Sequence, residues 1–217
     1  MLFMNGKLIV FEGVEGCGKT SQIRLCYEWL QSLHIPTITT RQPGGTKLGV
    51  HLQSLLLNKI GNQHTSDRAE LLLYAADRSQ HIDQLIKPNL ASGKIILCDR
   101  YIYSTIAYQG YGRGLDMDLI NQINFIATTG IASDLTFWLD VDVEVGLNRK
   151  RRNGDEFDRI EQENIDFHRR VQEGYATLAS SNPHTITHIN GNLTKQAVQQ
   201  KIQKVLENWL AEWRKEN

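Results

Sequence analysis

The 217-residue chain carries 24 basic and 24 acidic side chains, so its formal net charge is zero, and 41% of its residues are hydrophobic. That length suits one α/β domain with its own core, here residues 1–217, and leaves two independent domains cramped. The charge balance argues against a broad nucleic-acid footprint, and no apolar run approaches a membrane span. Three cysteines, Cys17, Cys26 and Cys98, with none at metal-ligand spacing, read as a reduced, cytoplasmic chain.

The apolar start, residues 1–11, is broken by Asn5, Gly6 and Lys7. It reads as a first strand over 8–11 rather than a signal peptide. Gly13-Val14-Glu15-Gly16-Cys17-Gly18-Lys19-Thr20 follows and fits G-x-x-x-x-G-K-[ST], the loop that cradles nucleotide phosphates. The residue types suit that task. Gly13, Gly16 and Gly18 let the backbone reach positive φ and turn bare N–H groups toward phosphate oxygens. The helix expected over 21–33 adds partial positive charge at its start. Lys19 reaches β- and γ-phosphates, and the Thr20 hydroxyl suits a Mg²⁺. Cys17 reads as a small filler rather than a redox switch.

Further apolar runs at 37–40, 95–98, 135–139 and 185–189 predict four more strands. Helical spacing covers 48–58, 67–91, 116–129, 143–152, 162–180 and 194–214, with Pro88 expected to kink or end part of the third of the chain's helices. Leu119, Ile123 and Ile126 recur every three or four residues, as a buried helix face requires. Strand–helix alternation implies an open, doubly wound, five-stranded parallel sheet flanked by helices, with ligands beyond the strands' carboxyl ends. The phosphate loop, Arg41 and Asp99-Arg100 all fall there.

The chemistry at those ends is partly open. Asp99, ending a strand, suits either a Mg²⁺ or a helix cap or ion pair, and Arg100 can clamp a second phosphate. Gln42-Pro43 is a candidate cis bond in a turn that could aim Arg41 at the cleft. Tyr74 and Arg78 share a helix face, either as a nucleobase clamp or as a surface cation–π pair. The basic run from Arg149 to Arg152 is either a solvated face or a mobile lid bringing arginines onto a transferring phosphate. No Asn-Lys-x-Asp guanine signature and no zinc cluster appears.

Along nearly its whole length the chain resembles the bacterial thymidylate kinase family. The resemblance rests on Phe11 to Thr20, Thr40-Arg41-Gln42-Pro43-Gly44-Gly45-Thr46, Leu73 to Arg78, Asp99-Arg100-Tyr101, Ser104-Thr105, Ala107-Tyr108-Gln109-Gly110, Gly112-Arg113-Gly114, Leu139-Asp140-Val141 and Asp158-Arg159-Ile160-Glu161. It implies a P-loop nucleoside-monophosphate-kinase fold with a short mobile lid at about 149–158, a homodimer, and phosphorylation of dTMP to dTDP with ATP and Mg²⁺. It also implies roles. Residues 13–20 and Lys19 would hold ATP, Thr20 and Asp99 the metal, and Glu15 would approach the sugar 3′-hydroxyl. Arg41 and Arg100 would hold the dTMP phosphate. Tyr74 would stack on thymine, Arg78 would bond its carbonyl, and Thr105 and Gln109 would line the base pocket.

Three departures stand out. Gln42 replaces the family's usual Glu, and Tyr74 its usual Phe. The phosphate loop holds no arginine, so the lid must supply the catalytic one from Arg149, Arg151 or Arg152, because the position before the lid glycine is Asn153. The competing readings are a kinase for another nucleoside monophosphate and a non-catalytic ATP-binding module.

Overall fold

Five short, apolar segments pair into one all-parallel sheet ordered β2-β3-β1-β4-β5. They are β1 (Lys7–Glu12), β2 (Thr37–Arg41), β3 (Ile95–Asp99), β4 (Leu135–Asp140) and β5 (Ile186–Asn190). The computed structural model describes residues 6–58, 65–152 and 157–215, and all counts refer to these. β1 and β3 read as unbroken apolar runs because helices cover both faces of the sheet. Alternate residues face opposite ways. Ile9, Phe11 and Leu97 therefore enter one core, and Leu8, Val10, Ile96 and Cys98 enter the other.

Helices α1 (Lys19–Ser32), α8 (Ile165–Ser181) and α9 (Lys195–Lys215) cover the first core. The second is covered by the helical continuation of α3 (Asp67–His81), whose Ile82 and Ile86 pack into it. Between them lie α2 (Lys47–Leu57), α4 (Lys87–Ala91), α5 (Ile102–Thr105), α6 (Met117–Thr128) and α7 (Val143–Arg152). Local chemistry sets several starts. Thr46, Ser66, Asp116 and Asn164 each accept the N–H three residues on. The chain runs from β1 to β2 and β3 on one side and returns to β4 and β5 on the other, which opens a crevice past the end of β1. Among the described residues, no helix is long and apolar enough to cross a membrane.

Three expectations change. Pro88 does not end its helix. A π-helical turn at Ile82–Ile86 keeps the chain helical from α3 into α4, changing the hydrogen-bond register just before Pro88, which has no N–H to donate. Residues 102–112 carry no helical spacing in sequence, yet form α5 and a second π-helical segment, Ile106–Gly112.

The third change concerns α6. Its Leu119 and Ile126 are exposed, at 37% and 73%, while Ile120, Asn124, Ala127 and Thr128 face inward. Asn124 accounts for the rotation, because its Oδ1 accepts a hydrogen bond from the buried Arg78 guanidinium at 2.7 Å. An unmet buried charge would cost far more than a few exposed apolar side chains.

Candidate active site

The phosphate loop begins where β1 stops. Gly13, Gly16 and Gly18 sit at φ 140°, 67° and 99°, a region other residues avoid. At Gly16 a Cβ would also strike the backbone of Gly146, so the loop packs directly on α7. Lys19 opens α1 and folds back over the loop. Its Nζ donates to the carbonyls of Gly13 (3.0 Å) and Val14 (3.1 Å).

Arg100 arrives at the same carbonyl from β3. Its Nη1 donates to Gly13 O at 3.0 Å, so a cation at the start of α1 and one just past β3 share one acceptor. The other Arg100 amino group donates to Tyr108 Oη (3.1 Å) and pairs with Glu15. Arg100 holds a left-handed φ of 68°, which costs about 1–3 kcal/mol in a non-glycine residue. Hydrogen bonds to charged groups contribute about 1.5–3 kcal/mol each, so the surrounding contacts outweigh the strain.

Glu12 underwrites this turn. It is fully buried, and its carboxylate accepts from the N–H groups of Tyr101 (2.8 Å) and Ser104 (3.1 Å), the Ser104 hydroxyl (2.6 Å) and Tyr175 Oη (2.8 Å). Burial raises the Glu12 pKa against the Arg100 charge. Glu15 behaves oppositely. Burial works to raise it, but the charges of Arg100, Lys19 and Lys150 and the Tyr108 hydroxyl prevail and hold it at about 2. It is therefore an ionised carboxylate between phosphate loop and lid.

Asp99 Oδ2 lies 3.4 Å from the Thr20 hydroxyl, and Asp99 Oδ1 is buried without a hydrogen-bond partner. A buried carboxylate oxygen left bare is costly, so this pair suits a hard cation held by few protein ligands. Among the described residues, no group of three or more His, Cys, Asp or Glu could hold a metal on its own.

The acceptor side is built differently. Arg78 is 3% exposed, and four of its five N–H groups are occupied. They donate to Gln42 Oε1 (2.8 Å), Thr105 Oγ1 (2.7 Å), Asn124 Oδ1 (2.7 Å) and Tyr101 O (3.0 Å). The guanidinium stacks over Tyr101 at 5.6 Å. Gln109 Nε2 donates to the buried Glu70 at 2.9 Å. Glu70 also accepts from Arg113 (3.2 Å) and Arg159 (2.5 Å), which ties the base pocket to the residues that follow the lid. Tyr74 lines the same cavity, with its hydroxyl pKa raised by burial and by Glu70.

Nearly all the residues singled out from sequence meet in one cavity of about 710 Å³. It is lined by Glu15 to Thr20, Arg41, Tyr74, Arg78, Asp99, Arg100, Thr105, Gln109 and Arg149. Gly13 and Val14 stand behind it, carrying the carbonyls that Lys19 meets. Arg151 and Arg152 are exposed and outside its lining, and Arg151 rests on the Phe157 ring at 5.4 Å. Asn153, and the lid over 153–156, lie outside the described residues.

Sequence reasoning missed Glu12, Tyr108, Lys150 and the loop after β5. Lys150 lines the cavity and pairs with Glu161. Asp158 beside it is pushed up to about 6 by burial and by the Glu161 and Glu15 charges. Leu193 and Val198 supply apolar wall beyond the phosphate loop. Only Glu12 carried a local signal, as a lone carboxylate ending an apolar strand just before the loop.

The family model described as thymidylate kinase matches residues 11–202. A thymidylate kinase of Nostoc punctiforme (strain ATCC 29133 / PCC 73102) is 66% identical over 203 residues, covering 94% of this chain and 96% of its own. One of Pelotomaculum thermopropionicum (strain DSM 13744 / JCM 10971 / SI) is 44% identical over 214 residues, covering 99% of both. The crystal structure of thymidylate kinase from Ehrlichia chaffeensis superimposes with a TM-score of 0.77 at 34% identity, covering 93% of this chain and 99% of its own.

Proposed function

The chain belongs to the thymidylate kinase family, with its P-loop nucleoside-monophosphate-kinase fold, and we propose that it transfers the terminal phosphoryl group of ATP to dTMP through the cavity residues described above. The observation that carries this is the shared Gly13 carbonyl. Lys19 from the donor side and Arg100 from the acceptor side both donate to it at 3.0 Å. Two positive groups converging on one atom mark where two polyanions can meet despite their repulsion.

Phosphoryl transfer asks little covalent chemistry of a protein; it asks for alignment and charge compensation. Loop N–H groups and Lys19 hold the donor phosphates, and the apolar Leu193 and Val198 suit the adenine ring. Arg100 and the exposed Arg41, paired in register with Asp99, hold the acceptor phosphate. Ionised Glu15 orients Arg100 and accepts from the sugar hydroxyl. Tyr74 stacks on the base, the remaining Arg78 N–H meets its carbonyl, and Thr105 and Gln109 shape the pocket. Thr20 and Asp99 fit a Mg²⁺, which would offset charge on the donor phosphates. From the lid, Arg149 is the arginine that lines the cavity, with Nη1 parked on Gly191 O at 3.2 Å. Lid closure would bring it, with Arg151 and Arg152, onto the transferred group and exclude water.

All these elements grow from one sheet, which supports a single-domain kinase over residues 1–217 with the lid at about 149–158. A cytoplasmic setting is part of the reading, supported by three free, buried cysteines. So is a homodimer. The outward face of α6, with Phe125 and Ile126 at 68% and 73% exposure beside Leu72 of α3 at 58%, is the apolar surface for it. Sedimentation should return twice the chain mass, and Ile126→Asp should return a monomer; a wild-type monomer at assay concentration would sink the pairing. For the reaction, ADP release is measured across a panel of nucleoside monophosphates. dTMP should give the highest kcat/KM, and a better acceptor among the others would reject the assignment.

A further inference from the structure

The carboxylate of Glu70 carries no role above, yet it stands behind the base pocket and faces donors alone. Glu70 sits in the first turn of α3 and is fully buried. Its Oε1 accepts from Gln109 Nε2 (2.9 Å) and Arg113 Nε (3.3 Å). Its Oε2 accepts from Arg113 Nη2 (3.2 Å) and Arg159 Nη2 (2.5 Å). Both arginines are held from elsewhere. Arg113 Nη1 pairs with Glu163 at 2.6 Å, its guanidinium lies over the Phe167 ring at 4.6 Å, and Arg159 Nε donates to Leu56 O at 2.9 Å. Burial works to raise the Glu70 pKa, but the contacts with Arg113, Gln109 and Arg159 outweigh it and hold the group below the usual carboxylate range. Glu70 is therefore ionised.

Donor and acceptor chemistry then decides how Gln109 lies. An ionised carboxylate only accepts, so the amide must turn its NH₂ to Glu70. Its oxygen points the other way. Gln109 Oε1 accepts no hydrogen bond from a described residue, and it is not among the buried polar atoms that lack a partner. Gln109 lines the cavity, so that oxygen opens there. Arg78 lines the same cavity with the opposite polarity, because a guanidinium only donates. A ring edge that meets both must carry an acceptor next to a donor. A 4-oxo pyrimidine with a proton on N3 does so. Cytosine presents the reverse, an amino group next to a bare N3.

We propose that Glu70 is a positioning and specificity-determining residue for the acceptor base: by claiming the NH₂ of Gln109, it fixes Gln109 Oε1 as the acceptor that reads N3–H of a 4-oxo pyrimidine. This rests on the reading of the cavity as a dTMP site. An amide at position 70 would not serve. Its NH₂ could not take the Oε2 position, which faces two guanidinium N–H groups at 3.2 and 2.5 Å. It would take the Oε1 position, where the one guanidinium N–H is 3.3 Å away, and Gln109 would have to turn its oxygen to meet it. The NH₂ of Gln109 would then face the base.

The test compares the wild type with Glu70→Gln and Gln109→Leu. Dissociation constants for dTMP and dCMP are measured by calorimetry, and KM for ATP by ADP release. Arg78 is present in all three proteins, so its own preference cancels. Glu70→Gln should weaken dTMP about tenfold, as the loss of one hydrogen bond to the base requires, without weakening dCMP. The preference for dTMP therefore narrows about tenfold or more. Gln109→Leu should narrow it as well, and KM for ATP should stay within twofold in both. A purely structural role for Glu70 would weaken both monophosphates in parallel and leave the ratio unchanged. A second measurement needs no Glu70 variant to fold. In the free wild-type enzyme the Gln109 side-chain NH₂, identified by its loss in Gln109→Leu, should exchange slowly with water because Glu70 holds it. A wild-type dTMP:dCMP ratio in either folded variant, or fast exchange of that NH₂, overturns the proposal. A wild type that does not phosphorylate dTMP overturns the functional reading instead, and the amide exchange still tests the contact between Glu70 and Gln109.

Discussion

The donor and acceptor halves of the cavity solve the same problem with different materials. The donor half is one contiguous stretch, residues 13–20, which works through backbone N–H groups, three left-handed glycines and one lysine. The acceptor half is gathered from the end of β2, from α3, from the π-helical segment and from α6. It works through buried polar side chains that hold one another. Binding a phosphate chain needs only bare amides and charge, and any sequence that frees the backbone supplies them. Recognising a base needs donors at fixed points, and those must be braced from several elements at once.

Variants should separate the halves. Lys19→Ala, on the donor side, should lower kcat by about 10³-fold or more while thermal unfolding stays close to wild type. A near-normal rate would remove Lys19 from the mechanism. Arg149→Ala comes next. It should slow the chemical step by about 10²–10³-fold in single-turnover measurements, with Arg151→Ala and Arg152→Ala smaller. If none of the three slows it more than a few-fold, the lid does not supply the arginine. Tyr74→Ala, on the acceptor side, should have the smallest effect. Stacking is worth about 1–3 kcal/mol, so KM for dTMP should rise about tenfold with KM for ATP unmoved. Equal rises would erase the distinction between the halves.

The same contrast explains what the sequence could reveal. The five strands and most helices fall within three residues of where apolar runs and periodicity set them, because buried-sheet strands advertise themselves. The phosphate loop is equally plain. The acceptor pocket shows no such local pattern: its residues are named through the family resemblance, and the bracing behind them is not visible. Asn124 looks like a surface residue, and Leu119 and Ile126 look like core, because nothing local says that a buried guanidinium across the pocket needs an acceptor. Residues 102–112 hide because a π-helical segment lacks the usual repeat. Lys150 stood among arginines that drew the catalytic role, and only the fold turns it toward Glu15 and Glu161. Gln42 was visible as a departure from the family's Glu, but its partners are Arg78 and His81, both more than 35 residues away in sequence.

One cleft grips two polyanions through Lys19 and Arg100, the two cations that converge on the Gly13 carbonyl. A crystal structure with dTMP and a non-transferable ATP analogue tests it most directly. The account predicts the Arg41 and Arg100 guanidinium groups within hydrogen-bonding distance of the dTMP phosphate and Lys19 Nζ on the donor's terminal phosphates. Guanidinium groups turned away from the bound monophosphate would contradict it.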